Sequence, residues 1–245
     1  MRKVFFVLGL IMPLVMGSCG KDDDNGKSLT VSPSSVTLYS GDTQQLVADG
    51  EVDLWETEDR FVVKVDEMGL VTANHVGSAN VTASNSDGKS QCQVTVKPKY
   101  SFKYEPFLKF GATMEEVKKA VSYEIYQEKA GEVTFAQKNP SVLWTYYFNE
   151  SGKYYMVLFM CELLTTPATL SDYLLERYAP LKSDEDNGTT SFSMVDSYDA
   201  NTLNTMVDYS ISKKYTTVIW ISNEYNNKSS SKKSLEYLAK SFVLD

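Results

Sequence analysis

Between Leu29 and Val96 the chain is cut by turn residues about every ten positions, a spacing that leaves room only for short strands. The stretch LTVSPSSVTLYSGDTQQLVA alternates apolar and polar residues through Val36, Leu38 and Leu46, and Ser40-Gly41-Asp42 separates the two runs. Further strands are expected at 69–73, 79–83 and 90–96, punctuated by Met68-Gly69, Val76-Gly77 and Asp87-Gly88. Gly41, Gly69 and Gly77 stand where tight turns call for positive φ. Alternation gives each strand one face to bury, and short strands in this number bury it by packing as two sheets. Residues 29–97 are therefore expected to form an all-β sandwich.

After Pro98 and Lys99 the period changes. In FGATMEEVKKAVSYEIY, Met114, Val117, Ala120 and Val121 share one helical face, and Thr113-Met114-Glu115-Glu116 has the form of a capping box. A helix is expected from about Met114 to Tyr123. In SVLWTYYFNESGKYYMVLFMCELL two β-rich runs flank Asn149-Glu150-Ser151-Gly152-Lys153, which reads as a hairpin. PATLSDYLLERYAP echoes the first helix, with Thr169 at its start and Leu170, Tyr173, Leu174 and Tyr178 as a narrower stripe. The runs TSFSMVD, TMVDYSIS and YTTVIWIS follow it. Leu235, Leu238, Ala239 and Phe242 then recur at helical spacing near the end of the chain. The expected architecture is multidomain: the all-β sandwich, then an α+β domain over 100–245 made of two helix-plus-hairpin units and a C-terminal helix. SDEDNGTT, which lacks the glycine and glutamate of a calcium loop, reads as a solvated loop.

The first residues read as an address. Arg2 and Lys3 precede an apolar run from Phe5 to Val15, too short for the roughly 20 residues of a membrane-spanning helix, so 1–18 is expected to be a signal peptide. Val15-Met16-Gly17-Ser18-Cys19 resembles a lipobox, which implies lipid attachment at Cys19 and a membrane anchor through its acyl chains. Residues 19–28 form an acidic linker. Within it Lys21-Asp22-Asp23-Asp24 resembles an export signal that sends lipoproteins to the outer face of the outer membrane. The competing readings are an ordinary secretory signal with an unrelated cysteine, and a plain solvated linker.

Over nearly all of 29–97 the chain resembles the group 2 bacterial immunoglobulin-like domain. VSPSSVTLYSGDTQQL, Trp55, KVDEMGLVTANHVGSANVTAS and CQVTV carry the likeness, and only the approach to the tryptophan, ADGEVDLWETED, is shortened. The resemblance implies a spacer or adhesive module. The order of elements from about Tyr104 to Ser222 is similar to the secreted β-lactamase inhibitor proteins and the small lipoproteins of outer-membrane assembly. Both act by binding proteins, and no residue role carries over.

Composition narrows the chemistry. The chain has 24 Lys+Arg against 32 Asp+Glu; without Arg2 and Lys3 the balance is 22 against 32, and no basic patch invites nucleic acid. His75 is the only histidine and has no ligand-spaced neighbours, and the nucleophile, zinc and phosphate motifs are missing, so no catalytic, metal or cofactor residue is assigned. Cys92 and Cys161 read as buried thiols rather than a disulfide. Aromatic residues crowd the first hairpin, and Trp144, Tyr146 and Tyr155 are the candidate outward binding surface for an unknown protein or glycan. The expected function is non-catalytic binding or adhesion by a lipid-anchored protein on the outer membrane's exterior. The alternatives are a structural or assembly lipoprotein of the envelope and a hydrolase of extracellular polymers, which would need two carboxylates at fixed separation.

Overall fold

The structure is a computed structural model that describes residues 29–139, 141–163 and 166–226. The expected signal segment, Cys19, the run Lys21 to Asp24 and the stripe from Leu235 to Phe242 lie outside the described residues.

The N-terminal strands are β1 (Val31–Ser32), β2 (Ser35–Tyr39), β3 (Thr43–Gln45), β4 (Val47–Ala48), β5 (Leu54–Thr57), β6 (Val63–Val65), β7 (Leu70–Ala73), β8 (Gly77–Asn85) and β9 (Gly88–Lys97). They form a four-stranded sheet β2-β9-β8-β5, a three-stranded sheet β3-β7-β6 and the pair β1-β4. Alternation places Val81, Ala83, Cys92 and Val94 on the inner face of β8 and β9, where they meet Leu46, Val63 and Val71 in one core. Gly69 has φ 79°, and a Cβ there would sit 2.8 Å from the Trp55 ring, so this turn both bends the chain and seats the indole.

The remaining elements are α1 (Met114–Ala120), β10 (Glu124–Lys129), β11 (Glu132–Gln137), β12 (Val142–Phe148), β13 (Tyr154–Glu162), α2 (Leu170–Leu175), β14 (Ala179–Asp186), β15 (Thr189–Val195), β16 (Thr205–Ile211), β17 (Tyr215–Ser222) and α3 (Asn223–Asn226). This corrects the α+β expectation. The eight strands make one antiparallel sheet in the order β10-β11-β12-β13-β17-β16-β15-β14, rather than separate helix-plus-hairpin units. Among the described residues strand accounts for 52% and helix for 8%, so the described part of the protein is mostly β.

The physical reason lies in two places. The helices are short, 7 residues in α1 and 6 in α2, and α1 stops at Ala120 because the β-branched Val121 takes up extended backbone, φ −89° and ψ 119°, ahead of β10. The edge strands β10 and β14 are exposed along nearly all their length, so they carry no alternation for a sequence reading to find. What passed for a solvated loop in SDEDNGTT is the β14-β15 hairpin, turned by Asn187 at φ 49° and Gly188 at φ 75°.

One face of this sheet holds the core. Phe135, Trp144, Tyr146, Phe159, Val218 and Trp220 project from it against the segment 102–110, α1 and α2, which contribute Phe102, Tyr104, Val117, Leu170, Tyr173 and Leu174. Full burial of each large apolar side chain contributes about 1.5–3 kcal/mol. The capping box on α1 is present, Glu116 N donating to Thr113 Oγ1 and Thr113 N to Glu116 Oε2. Cys92 and Cys161 are buried and unbridged, and burial pushes both thiols up from their ordinary pKa.

The sandwich and the sheet share a core. Ala179 and Val195, near the end of the sheet, are buried with Phe61, Val62 and Val63 of the sandwich. Beside them Glu176, which caps α2 and is 4% exposed, gathers three parts of the chain. Its carbonyl accepts from Val76 N at 2.7 Å. Its carboxylate accepts from Lys99 N at 2.8 Å, from Tyr100 N at 3.1 Å, and from Arg177.

Candidate binding site

The segment 102–110 has no regular structure, so its backbone groups need partners from elsewhere. Two come from β12. Trp144 Nε1 donates to Tyr104 O at 2.9 Å, and Phe107 N donates to the hydroxyl of Tyr146 at 2.8 Å. These bonds hold the segment across the sheet and leave a pocket of about 530 Å³. Residues 105–108 form one wall, residues 120–123 at the end of α1 form the other, and Trp144 and Tyr146 form the floor.

The walls differ in chemistry. Tyr123 lies flat on Trp144, ring centroids 4.1 Å apart and planes 14° from parallel. Glu105 also lines the pocket, and its carboxylate accepts from the Tyr173 hydroxyl. Among the described residues no lysine, arginine or histidine lines the pocket. Lys118 and Lys109 point their charges elsewhere, Lys118 to Glu115 and Glu128, Lys109 to Glu116. Burial pushes the hydroxyls of Tyr123 and Tyr146 up from the ordinary tyrosine range, so both stay protonated at neutral pH.

The structure corrects the outward surface expected of Trp144, Tyr146 and Tyr155. Trp144 and Tyr146 are each 1% exposed and face the core, with Val142 and Phe148 on the same side of β12. Tyr155 is half-buried and does not join them. The register explains why: Tyr147 pairs with Met156 but Phe148 with Tyr154, so Tyr155 is the extra residue of a bulge. It lies near Tyr147, whose pKa is pushed up to about 12, by burial first and then by Glu132 and Tyr155. Two of the three residues thus meet at the pocket floor, and the third belongs to the other face.

Sequence reasoning missed Tyr123, Glu105 and Glu176. Tyr123 is the last residue of the expected helix and not among the residues of its apolar face, and Glu105 lies in a segment with no period. His75, assigned no role, packs at the junction of sandwich and sheet. It stacks on Phe61 at 4.2 Å, with Tyr198 edge-on at 6.4 Å.

Among the described residues no group of three or more His, Cys, Asp or Glu could hold a metal ion, and no helix is long and apolar enough to cross a membrane. Residues 26–96 match the bacterial Ig-like domain (group 2). The sandwich is an Ig-like domain of that kind, as its quoted segments implied. No curated protein matches the chain.

Proposed function

We propose that this chain is a lipid-anchored protein of the outer membrane, exposed on the cell exterior, that binds an extracellular protein or glycan without catalysis. The observation that carries the proposal is the pocket between Glu105 and Tyr123. Its aromatic floor is held rigid by two side-chain to backbone hydrogen bonds, and its volume falls within the roughly 300–1,000 Å³ of small-ligand sites. The Ig-like domain adds weight, since such domains are often found in surface or adhesion-type proteins. It acts as a spacer that is docked rather than loosely tethered, because Glu176 ties its Val76 loop and the linker at Lys99 and Tyr100 to the end of α2. Cys19 supplies the anchor and Lys21, Asp22, Asp23 and Asp24 the export signal.

The test is protease shaving of intact cells, combined with retention of those cells on immobilised extracellular proteins and glycans. Wild type is expected to be shaved and retained. With Asp22, Asp23 and Asp24 changed to alanine it should stay membrane-bound but resist shaving, and with Cys19→Ala it should leave the membrane fraction. If wild type itself resists shaving while membrane-bound, a structural or assembly role inside the envelope replaces this reading.

A further inference from the structure

We infer that the pocket between Glu105 and Tyr123 is a subsite for a neutral sugar ring, an inference that rests on the binding role proposed above and names its ligand class. Three observations converge. First, Tyr123 and Trp144 are stacked face to face, not set at angles around a cavity. Trp144 backs one face of the Tyr123 ring, and the half-buried Tyr123 lines the pocket, so the pair presents a flat aromatic unit there. A flat platform suits a ring with an apolar C–H face, whereas a quaternary ammonium group is recognised by several aromatic faces surrounding it.

Second, the polar groups of the lining both accept and donate, the Ser122, Tyr123 and Tyr146 hydroxyls among them. Glu105 contributes a carboxylate, and residues 120–122 lie at the C-terminal end of α1, where backbone carbonyls lack intrahelical partners. The neighbouring amides are already used, Phe107 N on Tyr146 and Val121 N on Val117 O. Such a lining suits a ligand with hydroxyls around its edge, since each hydroxyl can donate to the carboxylate and carbonyls and accept from the side-chain hydroxyls. Third, no basic side chain among the described residues lines the pocket, and the chain carries a net charge of −8, so a uronic or sialic acid would meet the Glu105 carboxylate with no described cation to offset it. A ring with one apolar face, hydroxyls at its rim and no charge satisfies all three conditions. Glu105 is held in place for this task by the Tyr173 hydroxyl, and Tyr123 by the anchored indole beneath it.

The experiment is a fluorescence titration of the full chain, purified in mild detergent. The probes are neutral tetrasaccharides of glucose, galactose and mannose, tetragalacturonate, and choline. A parallel arm measures retention on immobilised deglycosylated fibronectin and collagen. At least one neutral tetrasaccharide is expected to perturb tryptophan emission saturably. Tyr123→Phe should keep that affinity, while Tyr123→Leu, which retains apolar bulk but loses the flat face, should weaken it about tenfold. Glu105→Gln should weaken it less than Tyr123→Leu. Equal or tighter binding of tetragalacturonate, choline binding with the same dependence on Tyr123, or equal affinity of Tyr123→Leu and wild type would each overturn the inference. If no sugar binds but the deglycosylated proteins retain wild type and not Tyr123→Leu, the sugar inference falls and the binding role stands. If neither sugars nor proteins bind, both fall.

Discussion

His75 shows how much one half-buried ring can decide. Burial first, and the charge of Lys64 after the opposing pull of the Leu175 carbonyl, hold its pKa below the ordinary 6.5; Asp59 acts in the other direction. Its Nδ1 has no hydrogen-bond partner among the described residues. Protonation is therefore harder in the folded state than in the unfolded one. The linked stability is fully present above about pH 6.5 and is lost as the pH falls from there through the lower folded pKa, with a slope of at most about 1.4 kcal/mol per pH unit. Urea unfolding at pH 7.5 and pH 5 should show this loss in wild type and a smaller one in His75→Phe; identical pH dependence would refute it. Glu176 makes a larger difference. Glu176→Ala leaves the Lys99 and Tyr100 amides and the Arg177 guanidinium without their acceptor, at a cost of about 3 kcal/mol. Limited proteolysis should then cut the linker near Lys99, which wild type protects.

At the level of elements, short helices and long strands divide the work. The helix α1 has one fully buried residue, Val117, and depends on its cap. Thr113→Ala should cost about 1 kcal/mol in urea unfolding. It should also weaken any ligand of the pocket, because residues 120–123 continue from the same helix into its wall. The sheet is insensitive at its rims. The strand β10 is exposed at every position, and its Glu124, Glu128 and Lys129 keep the open edge from pairing with another chain. The two halves of the sheet repeat one plan, a short helix followed by a four-stranded meander, and they join where β13 pairs with β17 from Met156↔Ile221 to Glu162↔Tyr215.

For the whole molecule, the shared core has a thermodynamic consequence. Ala179 and Val195 belong to the sandwich core although their strands belong to the large sheet, and Leu203 and Met206 pack against the same cluster. Calorimetry should record one cooperative transition instead of two. Val195→Asp puts a carboxylate into that junction and should split the transition, leaving the large sheet to melt near its original temperature. Two separate transitions in wild type would mean that the junction contributes little.

The sequence by itself determined the sandwich, because its strands alternate, its turns need glycine at places such as Gly69, and those requirements are local. It also determined the cap of α1, since Thr113 and Glu116 lie within one turn of each other. The eight-stranded sheet was only partly legible. Its inner strands carry the alternation of residues such as Trp144, Tyr146 and Phe148, but β10 and β14 have no buried face and so leave no periodic mark, apart from Asn187-Gly188 at the turn of one hairpin. The pocket was not legible. Period alone cannot say which side of β12 meets the segment 102–110, nor that a bulge turns Tyr155 away from its neighbours. Those choices were made by tertiary packing, where the segment with Tyr104 and Glu105, Tyr123 after α1, and Trp144 and Tyr146 of β12 come together around two hydrogen bonds and one stacked pair of rings.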